Sequence, residues 1–392
     1  MLITNVNTST GFPQHRLTAE NIGICIRRIN MKLPIKSGAI ICGLMTFAAG
    51  SAFAADALTV VSWGGAYTKS QLEAYHKPYT AKFGTKIQSE DYNGGLAEVR
   101  AQVEAGKVTW DVIDVEVSDA VRGCDDGLFE TISSKSLPKG ANGALAEKDF
   151  IPGALTECAV GSIVWSTIYA FDADKYSGSK PSNLNDFFDV KKFPGKRGLR
   201  KNAKVNLEWA LMADGVSHND VYKVLGTKAG QDRAFAKLSS IKDHVLWWEA
   251  GAQPPQMLAD GEVVMTSAYN GRIFNAAVQE KKNFEIVWDK QLFDFDLFAI
   301  IKGTPRLNEA MRFVGFATAT EQLAKQASWI SYGPTRKSSI KLISTHATSG
   351  VKMMPHMPTA PNNFKTAVLA NAEFWADNGD ELNERFNSWL AK

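Results

Sequence analysis

Two short stretches hold residue types that could grip a small charged molecule. In Trp63-Gly64-Gly65-Ala66-Tyr67, two aromatics flank a glycine pair. Glycines let backbone N–H groups approach a ligand closely, and an indole such as Trp63 can stack on an alkyl chain or a cation. A turn carrying a buried tryptophan is the plainer alternative. In Phe293-Asp294-Phe295-Asp296, two carboxylates stand at i and i+2, so on a strand both face one side. Burying them together is costly unless a cation sits between them, whereas a solvated strand edge needs no partner. Trp247-Trp248-Glu249 precedes a loop punctuated by Gly251, Pro254 and Pro255. Successive strand residues point to opposite faces, so one tryptophan, taken as Trp247, faces a cleft while its neighbour packs inside.

Chemistry of other kinds leaves no trace. After the N-terminal leader described below, the histidines are His76, His218, His244, His346 and His356, far apart in sequence. There is no HExxH or paired-cysteine metal spacing, no Gly-x-Ser-x-Gly elbow, no phosphate-cradling loop and no GxGxxG turn. The expectation is a protein with no catalytic residue, metal or cofactor. An enzyme with a triad assembled from distant residues remains an alternative.

The elements that must position these residues alternate. Leu58 to Trp63 reads as a strand broken by Gly64-Gly65. Leu72, Tyr75, Tyr79 and Phe83 recur at helical spacing, with Gly84 as cap. Thr85 to Ser89 is a second strand, Leu96, Val99 and Val103 mark a helix, and Asp111 to Val117 is a third strand. This order predicts a parallel sheet covered on both faces, whose strand ends open into a ligand crevice. Ser162 to Phe171 is long and β-rich, fit to cross between lobes. Helices are expected at Leu184–Phe188, Leu207–Met212, Gln231–Leu238 and Gln256–Ala259, and strands at Val263–Ser267, Phe284–Trp288 and Phe295–Ile301. Asn308 and Thr320 are expected to cap two helices, and the chain from Asn363 to be helical.

The 392 residues suggest two domains. Lys32 and Lys36 precede the small, apolar run Ser37–Gly50, and Ala52-Phe53-Ala54 fits a cleavage site before Ala55. Residues 1–54 are therefore read as a leader, with a signal peptide over about 31–54 and Met31 as the expected true start. Cys42 follows Ile41, too large for a lipid-anchor site. The formal charge of +3 belongs to this leader: without its five basic residues and one acidic residue, 39 basic and 40 acidic residues remain. Nothing then favours nucleic acid or an anionic membrane as partner. Cys124 and Cys158 are the cysteines that stay after export and are expected to form a disulfide in an oxidising periplasm.

Taken in order, several segments resemble the periplasmic solute-binding proteins that include the spermidine- and putrescine-binding group. They are Val61 to Tyr67, Trp110 to Glu116, Phe193 to Gly198, Gly261 to Tyr269, Asp296 with Ala299-Ile300, and the turn Tyr332 to Thr335. The resemblance implies a two-lobed type II binding-protein fold. Each lobe would be a mostly parallel sheet flanked by helices, with 56–168 and 293–345 in one lobe and 169–292 and 346–392 in the other, joined by crossing strands. It implies a monomer that captures a solute by lobe closure and presents it to an ABC permease in the inner membrane. Trp63 and Tyr67 match the aromatics of the first lobe, Asp296 a carboxylate that pairs with an amine, and Tyr332 another aromatic contact. Glu116, Trp165, Trp209, Trp247, Tyr269, Arg272 and Asp294, with Gly64 and Gly65, complete the expected ligand site. The expected solute is a polyamine-like cation of the putrescine or spermidine class. Departures from the polyamine pattern keep an alternative open. Arg200-Lys201-Asn202 and Val205 stand where that group is acidic, and Asp294 replaces an aromatic. Glu116 and Glu208 could restore negative charge. If instead Arg200 or Arg272 faces the cleft, it would bind a carboxylate, as in an ω-amino acid.

Overall fold

The computed structural model describes residues 57–392; the expected leader and its cleavage site lie outside the described residues. Strand β1 (Leu58–Ser62) is buried along its whole length, as its unbroken apolar run requires of a strand covered on both faces. It lies parallel to both β2 (Ile87–Asp91) and β3 (Val112–Glu116). Helical residues Tyr75 and Tyr79 pack edge-on against Phe298 and Phe313 respectively, with ring centroids 6.0 and 5.3 Å apart, closing one side of this wing.

Two long strands run through the middle. β4 (Ala159–Asp172) extends the crossing segment expected there. Beyond it, β5 (Arg197–Arg200) lies between and parallel to β6 (Val245–Trp248) and β7 (Met265–Tyr269). β8 (Phe284–Ile300) is one strand of 17 residues where the sequence suggested two. The gap between the two expected strands contains Lys290, which takes a left-handed φ of 54°. β4 keeps pairing on both sides of it through a register shift between Thr167 and Tyr169.

The resulting mixed sheet has the order β2-β1-β3-β8-β4-β7-β5-β6. Short strands β9 (Gly333–Pro334) and β10 (Val368–Leu369) attach to β4 and β8. Two parallel wings thus flank an antiparallel pair that crosses from one lobe to the other, as expected of this fold class. One lobe is cored by residues such as Val60, Tyr75 and Phe298, the other by Phe187, Trp209 and Phe386. Between them lies a distinct aromatic cluster with Tyr67, Trp165, Tyr269 and Tyr332.

Local details differ from expectation where side chains found other partners. The helices Leu307–Ala317 and Thr320–Ala327 follow Arg306 and Ala319, with no side-chain cap. Thr320 instead hydrogen-bonds Ser338 at 2.8 Å. The terminal helix starts only at Ala372, capped by Asn371, because the preceding chain pairs with β8.

Cys124, in the helix Val117–Asp125, is bonded to Cys158 just before β4 with Cα atoms 5.7 Å apart. The bridge closes a loop of 34 residues, so opening it is expected to lower stability by about 4 kcal/mol. Denaturant titration with and without reductant checks this; coincident midpoints would contradict it.

Candidate functional site

β1 ends at Ser62, so Trp63 falls on the turn at its carboxyl end. Gly64 and Gly65 there have φ of 70° and 58°. A Cβ on Gly65 would stand 2.7 Å from Nη1 of Arg272, so glycine is needed for conformation and for space. Arg272 comes from the helix Asn270–Val278 that follows β7 in the other lobe. Its Nη1 donates to the Gly64 carbonyl at 2.7 Å and its Nη2 to the Trp63 carbonyl at 2.9 Å. One guanidinium therefore ties the two lobes together at the aromatic turn. Tyr67 sits just inside the following helix, edge-on to Tyr332 with centroids 5.4 Å apart.

Four buried carboxylates approach from β3 and β8. Glu116 lies directly opposite Asp296 in the antiparallel register, with Asp114 and Asp294 beyond. Their surroundings differ. Glu116 and Asp294 each accept a hydrogen bond of 2.7 Å from the ammonium of Lys204. Burial opposes ionisation of Glu116, but the charges of Lys204 and Arg200 outweigh it and hold its carboxyl below the usual range. Asp296 accepts from the Trp165 indole Nε1 at 2.7 Å, and among the described residues no cation pairs with it. Burial first, then the charges of Asp114, Glu116 and Asp294, push its carboxyl well above the ordinary range.

Asp114 accepts from the Tyr67 hydroxyl at 2.7 Å and from Gln71. Burial raises its carboxyl to about 7. A carboxyl whose pKa is raised by folding favours the folded state most when protonated, below the unfolded value of about 4. That contribution is lost as pH rises through about 7. Asp114→Asn is therefore expected to lessen the fall in thermal midpoint of the ligand-free protein between about pH 4 and pH 7. An unchanged slope would exclude Asp114 as its source.

The convergence of these elements forms a cleft lined by Trp63, Tyr67, Glu116, Trp165, Tyr269, Arg272, Asp296 and Tyr332. All eight are among the residues singled out in the sequence. Trp165 and Tyr269 meet edge-on with centroids 5.0 Å apart. Two donors at the site, Trp63 Nε1 and Arg272 Nε, are buried without a partner. A second cavity shares Glu116, Trp165 and Tyr269 with the first and extends to Lys204 and Arg200. Arg200 also donates to the Asn93 carbonyl at 3.1 Å and lies 6.0 Å from the Trp63 and Tyr269 ring centroids.

Other expected ligand residues are placed elsewhere. Trp209 is in the core of the second lobe, its indole donating to the Lys290 carbonyl at 3.0 Å. Trp247 packs on Phe386 and Trp389. The alternation along β6 instead turns Trp248 toward the site, edge-on to Tyr269 at 5.6 Å. Asp294 stands behind the cavity on Lys204. Gly64 and Gly65 serve Arg272. Glu208, considered as a substitute charge, bonds the Trp375 indole at 2.7 Å and the Val205 backbone N–H at 2.8 Å. Lys204 was missed: the basic run after Arg200 was visible, but nothing local marks its one lysine that turns inward.

A cavity that pairs a buried carboxylate with a guanidinium between two lobes defines a solute-binding protein. Known proteins agree. A profile of the bacterial extracellular solute-binding proteins matches residues 74–359, and the chain belongs to that family, the capturing components of ABC importers. It is 44% identical over 348 residues, 89% of this chain and 95% of the other, to the gamma-aminobutyric acid-binding protein of Pseudomonas aeruginosa. Among solved structures, the binding protein MotA from A. tumefaciens B6 in complex with glucopine has TM-score 0.77 at 30% identity, covering 85% of this chain and 99% of that one. A GABA receptor structure has TM-score 0.72 at 31% identity, covering 86% and 98%.

Proposed function

We propose that this protein captures an ω-amino acid of the γ-aminobutyrate class in the periplasm and delivers it to an ABC permease. The observation that carries this reading is the charge arrangement of the aromatic cavity. Among the described residues, Asp296 is a buried carboxylate without a cation, Arg272 is a guanidinium lining the same cavity, and Lys204 already pairs with Glu116 and Asp294, with Arg200 also on Glu116. Such a site has use for one ammonium and one carboxylate. The solute's ammonium pairs with Asp296, its methylenes lie among Trp63, Trp165, Tyr269 and Tyr332, and its carboxylate meets Arg272 Nε and Trp63 Nε1, the two donors otherwise unpartnered.

The polyamine expectation therefore gives way to its alternative. A second ammonium would find Glu116 and Asp294 occupied by Lys204, and Asp114 held by Tyr67 and Gln71. The relatives named for gamma-aminobutyric acid and for GABA point the same way. Capture would proceed by closure of the lobes, each contributing part of the site, which requires only that ligand contacts favour the closed state.

A thermal-shift series tests the proposal. γ-Aminobutyrate is expected to raise the unfolding midpoint by mass action, while n-butylamine, butyrate and putrescine leave it nearly unchanged. A larger shift with putrescine than with γ-aminobutyrate would overturn the reading.

A further inference from the structure

We propose that Lys204 determines specificity by acting as a built-in ligand ammonium, filling the subsite that would otherwise accept the second amine of a diamine. This rests on the ω-amino-acid reading of the same cavity and names the residue that narrows it. The geometry is that of a bound ammonium: Lys204 Nζ lies 2.7 Å from a Glu116 oxygen and 2.7 Å from an Asp294 oxygen. All three side chains are at most a tenth exposed, so the ion triplet is enclosed rather than solvated.

The surroundings show why a single charge there decides selectivity. Lys204 lines the second cavity, which shares Glu116, Trp165 and Tyr269 with the first. A solute whose far end points past these residues meets Lys204 and Arg200. An ammonium on its far end encounters two cations and no free carboxylate. A neutral or anionic end does not suffer that repulsion. Buried carboxylates are costly to leave unpaired, so removing the lysine charge leaves Asp294 in need of a cation and Glu116 with Arg200 alone, 3.5 Å away. The diamine then supplies what Lys204 supplied.

Calorimetric titration of the wild type and of Lys204→Met, which keeps the apolar stem, tests this with γ-aminobutyrate, putrescine and 4-aminobutan-1-ol. The variant is expected to bind putrescine at least about tenfold more tightly than the wild type does, and γ-aminobutyrate more weakly. Putrescine affinity within about twofold of wild type in a folded variant would overturn the proposal. If Lys204→Met does not fold, the wild type still decides. Its site should prefer 4-aminobutan-1-ol, with one ammonium, to putrescine, and equal or tighter putrescine binding would overturn the role of Lys204. The two readings fail separately. A wild type that binds γ-aminobutyrate and rejects putrescine, with no gain in the variant, removes only the role of Lys204. A wild type blind to every ω-amino acid, with a variant that gains putrescine, removes only the proposed solute.

Discussion

Asp296→Asn is expected to weaken γ-aminobutyrate binding roughly 30- to 1,000-fold, the loss that follows when a buried ammonium is left without its counter-charge. The substitution is close to isosteric, and the amide oxygen can still accept from the Trp165 indole, which lies 2.7 Å from the carboxylate. The ligand-free protein should not be destabilised. It should gain stability, because a buried carboxylate with three acidic neighbours is replaced by a neutral group. A binding site that becomes more stable as it loses affinity is what a preorganised charge site entails. The empty site holds a proton on Asp296 more readily than an ordinary carboxylate does, since burial and its neighbours raise its pKa. An incoming ammonium requires the ionised form, so binding displaces that proton, and affinity should rise with pH through the range where the empty site titrates. The Asn variant should lack that component. Calorimetry at several pH values measures both effects. Affinity within about threefold of wild type would show that Asp296 does not hold the ammonium.

Arg272→Met is expected to reduce affinity by a comparable factor, but with the opposite effect on stability. The guanidinium donates to the Gly64 and Trp63 carbonyls at 2.7 and 2.9 Å, and Met leaves both without that donor, at a cost of about 1–3 kcal/mol. It also removes the one cation on the cavity wall. Arg272→Lys should fall between, since a single ammonium cannot reproduce a planar fork spanning two carbonyls. A Met variant with normal affinity and reduced stability would make Arg272 a structural tie between the lobes and nothing more.

Much of this site was legible in the sequence because its residues sit at punctuated positions. Trp63 and Tyr67 flank a glycine pair after an apolar run, and Asp296 belongs to an acidic pair in an otherwise apolar segment. Where reading failed, the cause was tertiary. Trp209 and Trp247 have the composition of ligand contacts, yet one sits inside a helix buried in the second lobe and the other lies one residue from the strand face that meets the cleft. A shift of one residue along β6 exchanges Trp247 for Trp248, and no local signal sets that phase. Asp294 stands behind the cavity because it pairs with Lys204, 90 residues away in sequence. The long strand β8 reads as two strands, Phe284–Trp288 and Phe295–Ile301, whereas pairing with β4 carries the chain through the residues between them. Periodicity reports which residues are buried; it does not report which buried charges find each other.

The most direct test is a crystal structure of the protein with γ-aminobutyrate bound. The expected result places the ammonium within hydrogen-bond distance of Asp296, the carboxylate against Arg272 and Trp63 Nε1, and Lys204 still between Glu116 and Asp294. A ligand with its carboxylate turned toward Lys204 and Arg200, or lying outside the aromatic cavity, would contradict the assignment of Asp296 and Arg272 as the two poles of the site.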